Sequence, residues 1–468
     1  MASERATIRD LVTHRTGLPR HDMVWYGAPL SREEMFHRLR YLEPSKDFRG
    51  TWQYNNLMFM TAGYLAGRLA GDTWESLVRR RIFQPLEMSG SNFSVLEMQK
   101  GGDHSRPYQK IKEEVKEIPF RNIDEIGPAG SINSNLEDMS HYLLFHLNQG
   151  KYAGKQIVSE NNVAEMHKPQ MVISGPGRWK ELGASSYGMG WMVSSYRGRT
   201  LVQHGGGIDG FNALVSFLPQ EKIGAIVFVN RSGTPLTSLI TYQVFDRLLG
   251  LEPVPWAERF KEDQKRGEAA EEEAKKKGYT PRKPNTRPSR ELAEYAGDYQ
   301  HPGYGVVRIT QESGELRFAF NSASGPVKHF HYDVFEVPED PRNPLQRTKI
   351  AFHGNIQGEI DRLSAPLESN TGEIIFTRLP ARIDRQVLET LTGGYLVGPM
   401  TATVALKGES LTLTVPGQPT YDLVPVRGLM FNLKGLTGFS VEFKKDPSGA
   451  VIEMAVFQPN ATFVAKRK

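Results

Sequence analysis

Three short stretches carry side chains that do chemistry. Tyr54-Asn55-Asn56 sets a phenol and two amides ahead of an apolar run, and Gln203-His204-Gly205-Gly206-Gly207-Ile208-Asp209-Gly210-Phe211 sets an imidazole beside consecutive glycines. His329-Phe330-His331 adds two more imidazoles. A tyrosine phenol ionises near pH ~10 in water, so it shuttles protons only where a neighbouring cation favours the tyrosinate. An asparagine two residues on can orient a substrate amide. Glycines lack a Cβ, tolerate unusual φ/ψ and let a ligand approach the backbone closely. From its residues alone, the glycine stretch reads either as a hairpin turn between strand-like residues 200–202 and 213–217 or as one wall of a ligand cleft. Tyr54-Asn55-Asn56 likewise reads as a helix cap or as a reactive loop. His329 and His331 alternate along a strand and share a face, but no third ligand is identifiable, so a structural role is expected there and no metal.

The elements that must position these groups follow from capping and periodicity. Thr7 caps a helix over 7–14, which stops at Gly17 with Pro19 just beyond. Residues 31–42 are amphipathic, and 57–69 are apolar on nearly every face, as in a buried helix. Residues 74–82 give another helix, and a turn-rich loop over 128–135 caps one over 136–147. From Tyr187 the pattern turns to strands: 187–193, the glycine stretch, and 223–230, a continuous apolar run of the kind central strands show. A helix over 237–249 follows. Helices followed by antiparallel strands predict an α+β domain over residues 1–255.

At 468 residues the chain is long enough for two or more domains. Its net charge of +5 is small, and basic residues are interspersed with acids, which gives no nucleic-acid footprint. There is no cysteine, which excludes disulfides, thiolate metal sites and a cysteine nucleophile. No apolar run reaches the length of a membrane span and the first residues form no signal peptide; secreted and cytoplasmic locations both stay open. Residues 256–289 are dense in Glu, Lys and Arg, with Pro281, Pro284 and Pro288, and read as a solvated helix plus linker that buries no core. Residues 290–468 read as an all-β barrel domain with a weak internal repeat: Leu292, Gly297 and Tyr299 recur as Leu388, Gly393 and Tyr395.

Taken together and in this order, Tyr54, Asn56 and His204 resemble the serine β-lactamase and penicillin-binding-protein-like superfamily (peptidase S12), in its class C, D-aminopeptidase and esterase branch. Residues 7–19, 52–69, 128–147 and 187–191 are similar to that family's segments. Residues 83–88 match too, with Glu87 where the family has glycine. His204-Gly205-Gly206 stands where the family has Lys-Thr-Gly or His-x-Gly. Residues 290–468 resemble the lipocalin-like barrel of some members, including His329 to Asp333. The resemblance implies hydrolysis of a small peptide, ester, amide or β-lactam through a serine acyl-enzyme, without a cofactor. It makes Tyr54 the proton shuttle, Asn56 the group that orients the substrate, and His204 the electrostatic partner of Tyr54 or of a substrate carboxylate. Gly205, Gly206 and Gly207 would form the oxyanion wall, with the Gly207 N–H as half of the hole. The barrel would shape the cleft, cover it or drive oligomerisation.

One departure is decisive. The family nucleophile is a Ser-x-x-Lys at the start of a helix, where serine and lysine share a face. No serine of this sequence has lysine three positions later, and Ser45-Lys46 has the wrong spacing. The family places the motif upstream of residues 7–10. Two readings stay open: a β-lactamase-like domain that lacks its N-terminal part, or a catalytically silent binding or matrix protein that keeps the fold. The first predicts a groove for a further helix against residues 57–69. The site assignment predicts Tyr54, Asn56 and His204 in one cleft.

Overall fold

The computed structural model describes residues 2–278 and 281–468. Met1, at the head of the expected first domain, lies outside the described residues, as do Tyr279 and Thr280 within the expected linker.

Helix α1 (Ile8–Val12) starts at a reciprocal cap: the Asp10 N–H reaches the Thr7 hydroxyl while the Asp10 carboxylate accepts from the Thr7 N–H at 2.8 Å. Asp10 is fully buried and carries two cations, Arg15 at 2.6 Å and Arg49 at 2.8 Å, which fix the chain as it leaves the helix. Ser31 and Glu34 make the same kind of box for α2 (Arg32–Arg38). The Asn55 side chain caps α3 (Asn56–Leu69) by accepting from the Met58 N–H at 3.2 Å, and Asn135 caps α4 (Leu136–Leu147).

Six antiparallel strands form the sheet in chain order: β1 (Met171–Val172), β2 (Ser186–Tyr187), β3 (Met192–Tyr196), β4 (Arg199–Ile208), β5 (Phe211–Leu218) and β6 (Ile223–Val229). Alternation sorts the strand residues onto two covered faces. Val202, Val215, Phe217 and Ile226 cluster with Leu143 of α4. Leu201, Leu218 and Ile223 cluster instead with Tyr242 and Phe245 of α5 (Leu236–Leu248). The run at 223–230 is therefore not a central strand: β6 is the sheet edge. It is apolar throughout because α4 packs on one of its faces and α5 on the other.

The charged segment also departs from expectation. It forms one helix, α6 (Trp256–Gly278), and its first turns belong to the core. Trp256 and Phe260 are buried against Tyr196, Tyr242 and Phe245. The Trp256 indole donates to Asp246 at 2.8 Å, and Asp246 also accepts from Tyr196 at 2.7 Å and Arg197 at 2.8 Å. Two aromatic residues spaced by one helical turn suffice to dock a helix whose remaining surface is charged.

The one barrel expected beyond residue 290 is two. Eight strands between Gly297 and Arg378 close through the pair Tyr299↔Arg378, and eight between Gly393 and Arg467 close through Tyr395↔Arg467. The sequence repeat is the start of each barrel. Tyr299 and Tyr395 are both fully buried, and each donates its hydroxyl at 2.8 Å to the carbonyl four residues earlier, Tyr295 and Leu391. Each half brings eight strands and its own apolar interior, so each closes on itself and leaves no open edge. The first barrel is filled by residues such as Phe318, Phe320 and Leu363, leaving a void of about 20 Å³, less than a ligand needs. Its apolar cluster is continuous with Val24, Met35, Leu42 and Leu57 of the first domain.

Candidate active site

Tyr54, Asn56, His204, Gly205, Gly206 and Gly207 all line one cleft of about 1250 Å³, together with Arg20 and Trp25. The α3 cap sets the first two: Asn55 turns inward to hold the helix, which leaves Tyr54 and Asn56 on either side of it to face the cleft. His14, just past α1, locks this loop. Its Nδ1 accepts the Asn55 N–H at 3.1 Å, its carbonyl accepts the Gln53 N–H at 2.9 Å, and its ring packs on Tyr54 with centroids 4.3 Å apart. Asn55 therefore realises the capping reading, while Tyr54 and Asn56 line the cleft.

Tyr54 is half-buried, and burial raises its pKa; the Arg20 guanidinium, 5.2 Å from the ring centre, opposes that rise and Asp22 adds to it. Arg20 is tied to Asp22 at 2.6 Å, and the other Asp22 oxygen accepts from the Trp25 indole at 2.8 Å and the Asn56 amide at 3.3 Å. The Asn56 amide nitrogen is engaged, which leaves its carbonyl oxygen as the free acceptor.

His204 is held at both ring nitrogens. Its Nδ1 lies 2.7 Å from the Gly205 carbonyl, which can only accept, so Nδ1 carries the proton and Nε2 accepts from the Tyr187 hydroxyl at 3.0 Å. Burial lowers the pKa of this ring, and the bond to the Gly205 carbonyl only partly offsets it. At neutral pH His204 is an uncharged link between Tyr187 and the glycine strand, 6.1 Å from Tyr54 between ring centroids. The positive charge over Tyr54 is that of Arg20.

The glycines are not a turn. Gly205, Gly206 and Gly207 lie within β4 and are absent from the positive-φ residues; the turn is Asp209-Gly210, with Gly210 at φ 86°. A Cβ on Gly206 would find Ala213 Cβ at 3.8 Å, an ordinary contact, so the fold does not demand glycine there. Strand β3 leaves β4 at Gln203, and beyond it β4 is paired only with β5. That open edge borders the cleft, with all three glycines exposed. Glycine there keeps the backbone accessible to a ligand. Asp209 pins the strand end by accepting from Tyr26 at 2.7 Å and Arg121 at 3.0 Å.

The other half of the cleft is apolar, lined by Trp74, Ile82, Phe83, Met139, Tyr142 and Phe228. This is not where a groove was expected. At Gly63 the surface of α3 is already covered: a Cβ there would lie 2.4 Å from Pro128 and 3.0 Å from Trp74. The groove opens instead between residues 74–83 and α4. Sequence reasoning missed His14, Arg20, Asp22 and Tyr187, which bear no spacing relation to the Tyr-Asn-Asn or His-Gly-Gly stretches. His329 lies outside the cleft and donates Nε2–H to the Tyr332 carbonyl at 2.9 Å.

A helix-covered antiparallel sheet, a tyrosine ahead of a buried helix and an open glycine edge across one cleft define a β-lactamase-like α+β domain, here followed by closed barrels. The chain belongs to the beta-lactamase family, which matches residues 2–247, just over half of it. Residues 281–378, the first barrel, match a family described as a domain of unknown function, DUF3471. An unguisins hydrolase of Aspergillus campestris is 27% identical over 321 residues, covering 65% of this chain and 58% of the relative. Gigasin-6 of Magallana gigas is 26% identical over 155 residues, 32% of this chain and 51% of the relative. The chain thus spans less than two thirds of these relatives. Among solved structures, an octameric penicillin-binding protein homologue from Pyrococcus abyssi aligns with a TM-score of 0.47 and 17% identity, over 89% of this chain and 78% of that one. Among the described residues no helix is long and apolar enough to cross a membrane.

Proposed function

We propose that the cleft is the substrate site of an acyl-transfer hydrolase for amide or ester bonds in small peptide-like molecules, completed by a Ser-x-x-Lys helix seated on its apolar half. In this reading the serine hydroxyl adds to the substrate carbonyl and its proton passes through Tyr54 to the leaving group. Water then attacks the acyl-enzyme. Asn56 offers its carbonyl oxygen to a substrate N–H, and a backbone N–H of the Gly205-Gly206-Gly207 edge receives the oxyanion. Because burial raises the Tyr54 pKa, Arg20 and the lysine of the motif together supply the positive charge that a tyrosinate needs. The observation that carries the proposal is the arrangement of Tyr54, Asn56, Arg20 and an open glycine edge around one cleft with an apolar flank. A relative named as a hydrolase is in keeping with it.

The test is hydrolysis of a chromogenic ester, a cephalosporin and a D-amino-acid anilide by the purified chain, alone and with a Ser-x-x-Lys segment supplied. Turnover that appears with the segment and disappears in Tyr54→Phe is the expected result. No turnover with the segment bound overturns the reading. The second reading, a silent binding protein, rests on the absence of any serine with lysine three residues on. Saturable binding of uncleaved ester, with no turnover under either condition, is its signature.

A further inference from the structure

Residues 20–26 reach in two directions. Arg20, Asp22 and Trp25 serve the cleft, but His21 between them turns away from it into the first barrel. His21 is fully buried, with a left-handed backbone (φ 47°) that non-glycine residues adopt uncommonly. The constraint comes mainly from the barrel. The His21 N–H donates to Glu368 at 2.8 Å, and its Nδ1 lies 2.7 Å from the Tyr304 hydroxyl. Its Nε2 lies 3.0 Å from the Glu43 carbonyl. Because that carbonyl only accepts, Nε2 carries the proton, and Tyr304 donates to Nδ1. Each polar group of His21 facing the barrel therefore has a partner. A second brace follows: the Asn321 amide, in a turn of the same barrel, donates to the Met23 carbonyl at 2.8 Å and the Tyr26 carbonyl at 3.3 Å. Gly27 packs so closely on this turn that a Cβ would overlap the Ser322 hydroxyl.

We propose that the first barrel is a positioning element of the candidate active site, with His21 as the positioning residue: Tyr304, Glu368 and Asn321 hold residues 20–26 so that Arg20 stays over Tyr54 and Asp22 keeps Asn56. A bound ligand inside the barrel is no part of this role, since its interior is filled. Chain direction explains the coupling. With residue 21 locked inward in a left-handed turn, residues 20 and 22 are both presented to the opposite side, where Asp22 ties Arg20, Trp25 and Asn56 together. Release of His21 frees this ion pair as a unit.

The test places 3-fluorotyrosine at position 54 and follows its ¹⁹F resonance and titration midpoint in the full chain. The groups that face this ring are Arg20, Asp22, His14, Trp52, Tyr187 and His204. Arg20→Met defines the signature, an upward shift of the midpoint with a moved resonance. Tyr304→Phe and Asn321→Ala, which remove one brace each and little packing, are expected to shift both in the same direction. Thr310→Ala on the barrel surface is expected to leave both unchanged. Variants that lower the melting temperature while resonance and midpoint stay at their original values overturn the proposal, as does an Arg20→Met variant with no shift. Where Tyr304→Phe fails to fold, Asn321→Ala, in a surface turn, decides. The proposal rests on the reading of Tyr54 as the proton shuttle, but the measurement needs no turnover. Its failure leaves the hydrolase reading intact, and absence of hydrolysis leaves the coupling intact.

Discussion

His14 packs its ring on that of Tyr54, with centroids 4.3 Å apart and planes tilted by 40°, while its Nδ1 receives the N–H of Asn55. One buried imidazole thus ties the end of α1 to the cap of α3 and forms the floor under the candidate proton shuttle. Burial, aided by the nearby Arg20 guanidinium and by His204 whenever that ring is protonated, lowers its pKa to about 3, so it is neutral at pH 7.

His14→Phe keeps an aromatic ring against Tyr54 but leaves the buried Asn55 N–H without an acceptor. The expected loss is about 1–3 kcal/mol of stability, the usual cost of an orphaned buried donor. Urea unfolding of the two proteins measures it. An unchanged midpoint means that the Asn55 N–H finds another partner and that His14 is not the lock of this loop.

The local grammar of this region was legible in the sequence, and its tertiary meaning was not. The Thr7 cap, the amphipathic run from Ser31 and the loop ending at Asn135 mark helix starts that the structure reproduces within a residue or two. Tyr54, Asn56 and His204 were recognisable because their types and order are unusual together. Arg20 and Asp22 were not, because an Arg-His-Asp triplet after a proline carries no periodic signal. Only the barrel contacts of His21 decide which way its neighbours face. Likewise the residues of the glycine stretch left a turn and a cleft wall both open, because composition reports freedom of φ and not the access that the open edge of β4 gives. The apolar run of β6 reported two covered faces and said nothing about its unpaired edge.

Acid should destabilise the fold well above the pH at which carboxylates titrate. His146 and His167 lie buried with ring nitrogens 3.1 Å apart, and desolvation lowers their pKa values to about 3 and about 4. In the unfolded chain both titrate near 6.5. Between these limits the unfolded state binds more protons, so stability is fully present above about pH 6.5 and falls as the pH drops toward 4. Each such histidine adds a slope of about 1.4 kcal/mol per pH unit. His146→Phe, set among Tyr142, Trp191 and Phe217, should remove one such increment in urea titrations at pH 7, 6 and 5. An unchanged pH slope in the variant means His146 is protonated in the native state.

Gly206→Ala separates backbone geometry from access. Its φ lies in ordinary strand territory and the added Cβ meets Ala213 at contact distance, so the melting temperature should stay within about 2 °C, as for a neutral surface change. The methyl group would project from the sheet face beside Ala213, where both residues line the cleft. Under the hydrolase reading, turnover in the completed assay should fall by up to about 100-fold, the lower end of the roughly 100- to 1000-fold lost with an oxyanion donor, because the N–H stays but access to it narrows. A drop in melting temperature with full turnover reverses both halves of the argument.

Trp256 tests whether the first domain ends at the close of its last sheet-packed helix or continues into the charged segment. Composition puts a linker there, but the indole is fully buried against Tyr242 and Tyr196 and donates to Asp246. Trp256→Ala should cost about 3–5 kcal/mol, the range for emptying a large aromatic site in a core. Trp256→Phe keeps most of the buried area and forfeits the indole hydrogen bond, for about 1 kcal/mol. Asp246 keeps Tyr196 and Arg197 in both variants, so no bare carboxylate inflates either figure. Lys261→Ala, on the exposed side of the same helix, should be neutral within about 0.5 kcal/mol. The ordering Trp256→Ala, then Trp256→Phe, then Lys261→Ala in unfolding free energy makes α6 an integral part of the fold. Equal stability of all three makes it the solvated spacer its charges suggest.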